Sequence, residues 1–499
     1  MKITNYISKN NYFIWFIFVP LFLVTRLVNL KIIPIFTDEA IYTYWAQIAL
    51  HDPANRYISM TDGKQPLFIW LAAISQYFIS DPLVATRIVS VVAGFGSFIG
   101  IYLLAKALFN KKIALISCVL YLILPFTLLY DRMALYDSLL TMLCIWVVFF
   151  TVKIAKKPQL DMALLNGAIL GLALITKSSA DFFLYLLPFS AVFFNFRKNS
   201  KYTLLKYVLF LILSALIAEG IYSTLRLSPY FYIIAQKNFT FIRSFHEVIN
   251  KPFEYFLSNL QSITLWIITY TQLPLTLLFI AGIIFGFVKK NRSIIYLFVL
   301  IFAPLLAEAL FNKVLYPRFV LFYYPFIILI TAFFIEQILN HFSSKKIFIS
   351  VILLATIILP ISISLKLITD PAKAKIPSSD SNQYLNDWPA GYGVQEVINI
   401  LKSDSRNQQV NIGTEGTFGL FPFSLNIYFY NNKNVHIYSF WPVDAKEIPQ
   451  QILDLSKKQK TYFVFNENQQ YVNNPNLKLI GSYQKGTGKS FMRLYEVIQ

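Results

Sequence analysis

Between residues 12 and 369 the chain alternates apolar runs of about twenty residues with short charged breaks, and most runs lack a polar stripe. That length suits helices crossing a bilayer better than amphipathic helices covering a soluble core. The pattern predicts about eleven transmembrane helices, roughly 12–30, 83–108, 113–130, 134–152, 160–176, 181–196, 203–223, 263–288, 293–312, 319–340 and 347–369. The first run is not a cleaved signal, because Arg26 lies inside it and no small-residue cleavage site follows. Pro66–Ile79 is too short to span and reads as a juxtamembrane or re-entrant helix. Near Pro371 the pattern changes. Asp370–Pro389 is rich in Pro, Ser, Asn and Asp, and short alternating elements follow it. Val394–Lys402 and Ala445–Lys458 read as helices, and Val410–Gly413, Val435–Phe440 and Tyr462–Asn466 as strands. Leu477–Gln484 with Phe491–Val497 reads as a hairpin. Two domains are expected: a transmembrane domain over 1–370 and an α/β domain over 371–499.

Composition removes other classes. Apolar residues make up 56% and charged residues 14% of the 499, against about 45–50% and 25% in soluble domains. Disorder requires low hydrophobicity, and a nucleic-acid binder requires bases on a polar face that most of this chain lacks. The formal charge is +19, from 44 Lys+Arg against 25 Asp+Glu. With the N-terminus in the cytoplasm, the cytoplasmic turns collect 17 of the 31 Lys+Arg before residue 371, among them Lys2, Lys9 and Lys198. Only Asp161 and Glu336 of the 15 acids fall on that side. This is the positive-inside distribution. An odd number of spans then puts the α/β domain outside a cell membrane crossed many times. Cys118 and Cys144 lie within apolar runs and imply no disulfide framework.

Charges at the opposite, outer ends carry the candidate chemistry. Thr37-Asp38-Glu39-Ala40 opens an amphipathic helix bearing Tyr42, Tyr44 and Trp45. Acids in a first turn suit the helix dipole, and Thr37 is an acceptable cap. A carboxylate held at the membrane surface could equally deprotonate a hydroxyl acceptor. Gly63-Lys64-Gln65-Pro66-Leu67 leads into the short helix; Lys64 either snorkels or holds an anionic headgroup. Tyr130-Asp131-Arg132 and Tyr136-Asp137-Ser138 put three charges in and after one short turn. Asp131 and Arg132 are expected as a local pair or as functional groups. Asp137 lies within the following apolar helix, where an ionisable residue is functional by default. Lys177 and Arg318, in Thr176-Lys177-Ser178 and Tyr316-Pro317-Arg318-Phe319, sit at outer ends that the positive-inside rule disfavours for cations. Arg87, Glu219 and Glu308 read as structural pairs. A carboxylate beside Lys and Arg at that depth suits transfer from a lipid-linked phosphate donor, the cations stabilising charge on the departing phosphate.

Asp-Glu in the first outer loop, Lys-x-Pro-Leu after it, Arg-x-x-x-x-Asp, Thr-Lys and Arg-Phe occur here in an order and sidedness that resembles the GT-C glycosyltransferases. The branches most similar are the protein O-mannosyltransferases and the lipid A aminoarabinose transferases, over the first 340 residues. The resemblance implies a polyprenyl-phosphate sugar donor, inversion at the outer membrane face, and a protein, lipid or glycan acceptor. It implies Asp38 as the catalytic carboxylate with Glu39 its neighbour. Lys64, Arg132 and Arg318 would face the donor phosphate, joined by Lys177, while Asp137 orients Arg132 or binds acceptor. Gln65 departs from relatives that show two prolines there. Some relatives use a divalent metal. With four histidines a nitrogen-rich zinc site is not expected, and an oxygen-ligated cation, Mg or Mn, stays open.

Two motifs are decoys. Gly486-Thr487-Gly488-Lys489-Ser490 mimics the end of a P-loop, but Tyr483 stands where the first glycine belongs and no helix follows. Gly94, Gly96 and Gly100 lie within a span and read as close helix packing. Asp387–Gly393 is an aromatic loop that reads as a domain-boundary turn. The rival functions are a lipid-linked sugar or ion transporter, which calls for mid-membrane charges and inverted repeats, and a non-catalytic membrane receptor.

Overall fold

The computed structural model describes residues 12–197, 199–466 and 474–498. Lys2, Lys9 and Lys198 lie outside the described residues. Contacts divide the chain into two compact units. One holds the residues up to Leu30, Asp62–Leu67 and Ser90–Thr369; the other holds Lys31–Thr61, Phe68–Val89 and Asp370–Gln499.

The first unit is helical. Among the described residues, six helices are long and apolar enough to cross a membrane: Pro82–Leu108 (which begins in the second unit), Tyr136–Lys156, Lys201–Leu227, Arg292–Phe311, Pro317–His341 and Ser350–Thr369. The count rises to eight if each of two bent pairs is one span. The protein is an integral multi-pass membrane protein.

Of the eleven expected runs, several are modified by local chemistry. Run 113–130 divides into Lys111–Ile123 and Pro125–Asp131, meeting at 64°. Pro125 has no N–H to give and drives Leu124 to an extended ψ of 130°. Run 263–288 becomes Phe256–Thr271 and Leu273–Val288, bent by 112°; Gln272 between them takes a φ of 68°, with a proline in the first turn that follows. Runs 12–30, 160–176 and 181–196 yield the shorter apolar helices Ile14–Leu27, Leu160–Leu174 and Ser178–Phe193. Fifteen residues in Leu160–Leu174 reach only about 22 Å at 1.5 Å each, short of a ~30 Å hydrocarbon core.

Burial ranks these helices. Pro317–His341 and Tyr136–Lys156 are 89% and 83% buried and form the centre, whereas Lys201–Leu227 and Ser350–Thr369 are 22% and 28% buried. Pro82–Leu108 approaches Tyr136–Lys156 closely because its glycines allow it. A Cβ at Gly96 would stand 2.2 Å from Met142 Sδ, and one at Gly100 would stand 2.9 Å from Ile145.

The second unit is built on a five-stranded sheet of β1 (Val410–Glu415), β2 (Val435–Phe440), β3 (Lys460–Phe465), β4 (Leu477–Gln484) and β5 (Phe491–Val497), in the order β2-β1-β3-β5-β4. β1 is parallel to β2 and β3, while β5 is antiparallel to β3 and β4. Period-two alternation feeds two cores. Tyr462 and Val464 of β3, with Val410, Ile412, Met492 and Leu494, pack beneath the helix Val394–Asp404, which contributes Val394, Val397, Ile398 and Leu401 at helical spacing. Phe463 and Phe465 join Ile452, Tyr495 and Val497 on the other face. The helix expected over Ala445–Lys458 is confined to Gln450–Ser456, because Pro449 at its N-cap cannot continue a helix begun earlier. The Gly486–Ser490 stretch is the expected hairpin turn, Lys485 N donating to Ser490 O at 3.0 Å.

The helix Thr37–His51 belongs to this second unit, and the first core explains why. Ile35 and Ala40 are buried in it, Tyr44 stacks on Phe423 at 4.9 Å, and Gln47 Nε2 donates to Ile427 O at 3.2 Å.

Candidate active site

In the first unit, four separate stretches are laced together by hydrogen bonds around the candidate cations. Gln65 Nε2 donates to Ser178 Oγ at 2.8 Å, and Leu67 N to Ile175 O at 3.2 Å. Asn238 Nδ2 also donates to Ser178 Oγ, at 3.1 Å, and Lys237 Nζ reaches Asp62 Oδ1 at 2.5 Å. Lys313 N then donates to Phe241 O at 2.8 Å, tying the approach to Arg318 to the same assembly. Gly63 makes the turn possible: its φ is +68°, and a Cβ there would meet Lys237 Cβ at 2.5 Å.

This lacing sets the cations among aromatic rings. Lys64 Nζ lies 5.4 Å from the Phe241 centroid, Lys177 Nζ 4.5 Å from Phe319, and the Arg318 guanidinium 5.8 Å from the same Phe319 and 5.5 Å from Tyr316. Asp137, almost fully buried, accepts from Lys177 at 2.7 Å. Lys64, Lys177, Arg318 and Asp137 thus share one unit, with Phe319 common to two of the cations.

Arg132 has a different setting from the one expected. It is buried, and its Nη1 donates to the carbonyls of Thr25, Arg26 and Val28 and its Nη2 to Asn29, at 2.7 to 3.1 Å. Those oxygens lie at and beyond the C-terminal end of the helix Tyr12–Leu27, where a cation meets both orphan acceptors and the negative end of the dipole. Nor is Asp137 its partner, as Lys177 holds that carboxylate. Asp131 pairs with Arg26 (3.4 Å) rather than forming a local pair with Arg132, and Tyr121 and Ser138 donate to it at 3.3 and 3.2 Å. Glu308, expected in a charge pair, accepts from Tyr323 Oη at 3.0 Å.

In the second unit, Glu39 and Asp38 divide in character. Glu39 is fully buried; its two oxygens accept from Arg87 Nε at 2.8 Å and Nη2 at 2.7 Å, and Oε2 also accepts from Phe36 N at 3.0 Å. Arg87 further donates to Ile33 O and Pro34 O, at 2.9 and 3.2 Å. The pair therefore clamps the turn that precedes the helix. Phe36, not Thr37, is the cap residue, because Thr37 is engaged elsewhere: its N and Oγ1 both donate to Pro389 O, at 3.1 and 3.0 Å. Phe36 bridges Ala390. The Asp387–Gly393 loop is thus the seat of the Asp38 turn within its own unit. Asp38 itself is partly exposed, with Tyr42 Oη at 3.5 Å.

Several partners escaped the sequence reading. Phe241 lies in a stretch between two expected spans where nothing local marks it, and Arg26, though visible as a charge inside an apolar run, shows nothing of its partner Asp131. Gln65 did leave a signal, since an amide replaces proline where relatives show two, and that amide makes the bond to Ser178. A metal ligand set is not formed: among the described residues no three His, Cys, Asp or Glu side chains gather to hold an ion.

A family model described as dolichyl-phosphate-mannose-protein mannosyltransferase matches residues 63–222. The structure superposes on apo ArnT from Cupriavidus metallidurans with a TM-score of 0.60 at 11% identity, covering 98% of each chain. Residues 63–222 are thus similar to this mannosyltransferase family, and the fold is that of ArnT. Another structure of the same ArnT, bound to undecaprenyl phosphate, gives 0.58 at 12% identity, again over 98% of each chain. An oligosaccharyltransferase from Archaeoglobus fulgidus, in complex with Zn and sulfate, gives 0.51 at 12% identity over 85% of this chain; the match spans only 62% of that enzyme's length. No curated protein sequence matches. The family-model match holds Lys64, Arg132, Asp137 and Lys177, while Asp38, Glu39 and Arg318 lie outside it.

Proposed function

We propose that this glycosyltransferase moves a sugar from a polyprenyl-phosphate donor to a hydroxyl on a protein, lipid or glycan acceptor, with inversion, at the outer face of the plasma membrane. The observation that carries this is the set of three cations, Lys64, Lys177 and Arg318, mounted on laced loops beside aromatic rings in the first unit. Such a set suits a phosphate next to a lipid chain: fixed positive charge for the anion and apolar surface for the first isoprene units. The undecaprenyl phosphate bound to the structurally similar ArnT supports the same donor class.

In the proposed reaction Asp38 takes the proton of the acceptor hydroxyl as its oxygen attacks the anomeric carbon. The anomeric carbon–phosphate oxygen bond breaks on the opposite face, and polyprenyl phosphate leaves with the electron pair. Lys64, Lys177 and Arg318 stabilise the growing phosphate charge, and Asp137 keeps the Lys177 ammonium in place. Glu39 and Arg132 act as positioning residues, one through the Arg87 clamp and the other through the helix end it holds.

The test is incubation of purified protein with a panel of polyprenyl-phosphate sugars, following polyprenyl phosphate release. Asp38→Asn is expected to abolish transfer at unchanged thermal stability. Near-normal turnover in that variant removes Asp38 from the mechanism, and release from no donor in the panel removes the reading.

A further inference from the structure

The second unit carries a concavity with no part in the scheme above. Its volume is about 400 Å³, and its walls include Tyr44, Asn426, Tyr430, Asn431, His436 and Tyr438. This lies within the ~300–1,000 Å³ of small-molecule sites, near the small end. Three features of its lining specify an occupant. Aromatic rings are dense: the three tyrosines are joined by Phe429 in the wall, and the His51 ring lies 5.0 Å from that of Tyr430 at 32°. Amide and imidazole groups, which both donate and accept hydrogen bonds, alternate with the rings. No Asp, Glu, Lys or Arg stands among the lining residues.

The strand beneath adds a fourth feature. β2 is the end strand of the sheet, so its backbone groups on the side away from β1 face the cavity region rather than another strand. Residues of both its faces line the concavity, which therefore wraps the sheet edge. A ligand here must offer apolar faces to rings and many hydroxyls to amides and backbone, without charge, since an unpaired ion would find no counter-charge.

We infer that this concavity binds a neutral carbohydrate, one or two pyranose or furanose rings stacked on the Tyr44 and Tyr430 side with hydroxyls on Asn426, Asn431 and His436. Carbon-bound hydrogens on one face of a sugar ring pack on aromatic faces, and its hydroxyls satisfy amides in pairs. The transferase then holds a glycan chain on its outer domain, and the acceptor class is a neutral glycan. The second statement rests on the proposed transferase reaction; the binding site itself does not.

Full-length protein in lipid nanodiscs is titrated with neutral disaccharides (mannobiose, maltose, galactobiose, xylobiose, arabinobiose), read by saturation-transfer NMR and calorimetry. A hyaluronan tetrasaccharide and a Ser/Thr-rich octapeptide are the charged and peptide comparisons. At least one neutral disaccharide is expected to bind saturably. Tyr430→Ala should weaken it at least tenfold, Tyr430→Phe should retain most of it, and the exposed Asn431→Ala should weaken it severalfold with a small loss of thermal stability, since Asn431 stands at a φ of 57° that alanine disfavours. Binding of none of the five, binding indifferent to Tyr430→Ala and Asn431→Ala, or preference for the peptide or the charged glycan overturns the inference. Asp38→Asn should bind the disaccharide as the parent does. Donor turnover without disaccharide binding defeats this inference and leaves the transferase reading standing. Binding that depends on Tyr430, with no donor turned over, does the reverse.

Discussion

Glu39 stands next to Asp38, a group proposed to act on substrate, yet its pairing with Arg87 makes the two a clamp. Both are fully buried and joined by two short bonds. Removing one partner leaves an ion without its counter-charge, which costs roughly 3–5 kcal/mol, whereas replacing both with apolar groups costs much less. Chemical denaturation in detergent of Glu39→Leu, Arg87→Met and the double variant should therefore show two large losses and a smaller combined one. Arg132 and Lys177 separate in the same way. Arg132→Ala strips four carbonyls of their donor and should lower thermal stability, at about 1.5–3 kcal/mol per charged hydrogen bond before compensation. Lys177→Ala, at a partly exposed side chain, should raise donor KM at least tenfold with a smaller stability loss. Sequence order and sidedness singled out Glu39, Arg132 and Lys177 as candidates and Arg87 as a structural pair. Their division into clamps and reachable cations was not legible, because it depends on which acid Arg87 meets and on the Thr25–Asn29 carbonyls, distant in sequence from their partners.

At the level of elements, hydropathy located the long helices well and the interruptions poorly. Pro317–His341 and Arg292–Phe311 nearly coincide with the expected runs, since twenty apolar residues have few alternatives in lipid. The 112° break at Gln272 is hidden from hydropathy, because apolar residues continue on both sides of it. In the second unit the hairpin and the first helix were legible from period and turn residues, but the attachment of Thr37–His51 to that core was not. Attachment depends on tertiary contacts, among them the close passage of Gly391 against Ile35, where a Cβ would stand 2.4 Å from a backbone oxygen. Gly391→Ala must shift one of these backbones, at about 1–3 kcal/mol. The Asp38 turn shares this seat, so kcat should fall severalfold while donor KM stays near that of the parent. Steady-state kinetics with a saturating acceptor check this.

For the whole molecule, the net charge of +19 divides into +16 before residue 371 and +3 after it. The basic character is thus largely that of the residues before 371, and the C-terminal portion with the sheet adds little to it. That sheet has its own acid sensitivity. Burial raises the Asp404 carboxyl, but hydrogen bonds from Lys460 (2.8 Å) and Tyr462 (2.6 Å) outweigh it and hold the group below its ordinary value. A depressed carboxyl stabilises the folded state above its unfolded pKa, about 3.9, and that contribution is lost as pH falls through the lower folded value. Thermal melts should therefore weaken below about pH 4, and Asp404→Asn should be less stable at neutral pH with a flatter acid limb. The second unit is also discontinuous in the chain. Thr37, Tyr44 and Gln47 of this helix lie against Pro389, Phe423 and Ile427, made about 350–380 residues later, which at about 5–20 residues per second is roughly 18–76 s of synthesis. During that interval the Glu39–Arg87 pair can form, but this face of the helix has no cover and the turn carrying Asp38 lacks its Pro389–Ala390 seat. A ribosome-bound chain would then already possess its cationic loops while the proposed base, Asp38, is still unplaced, so transfer is expected only once the strands of the second unit have been made.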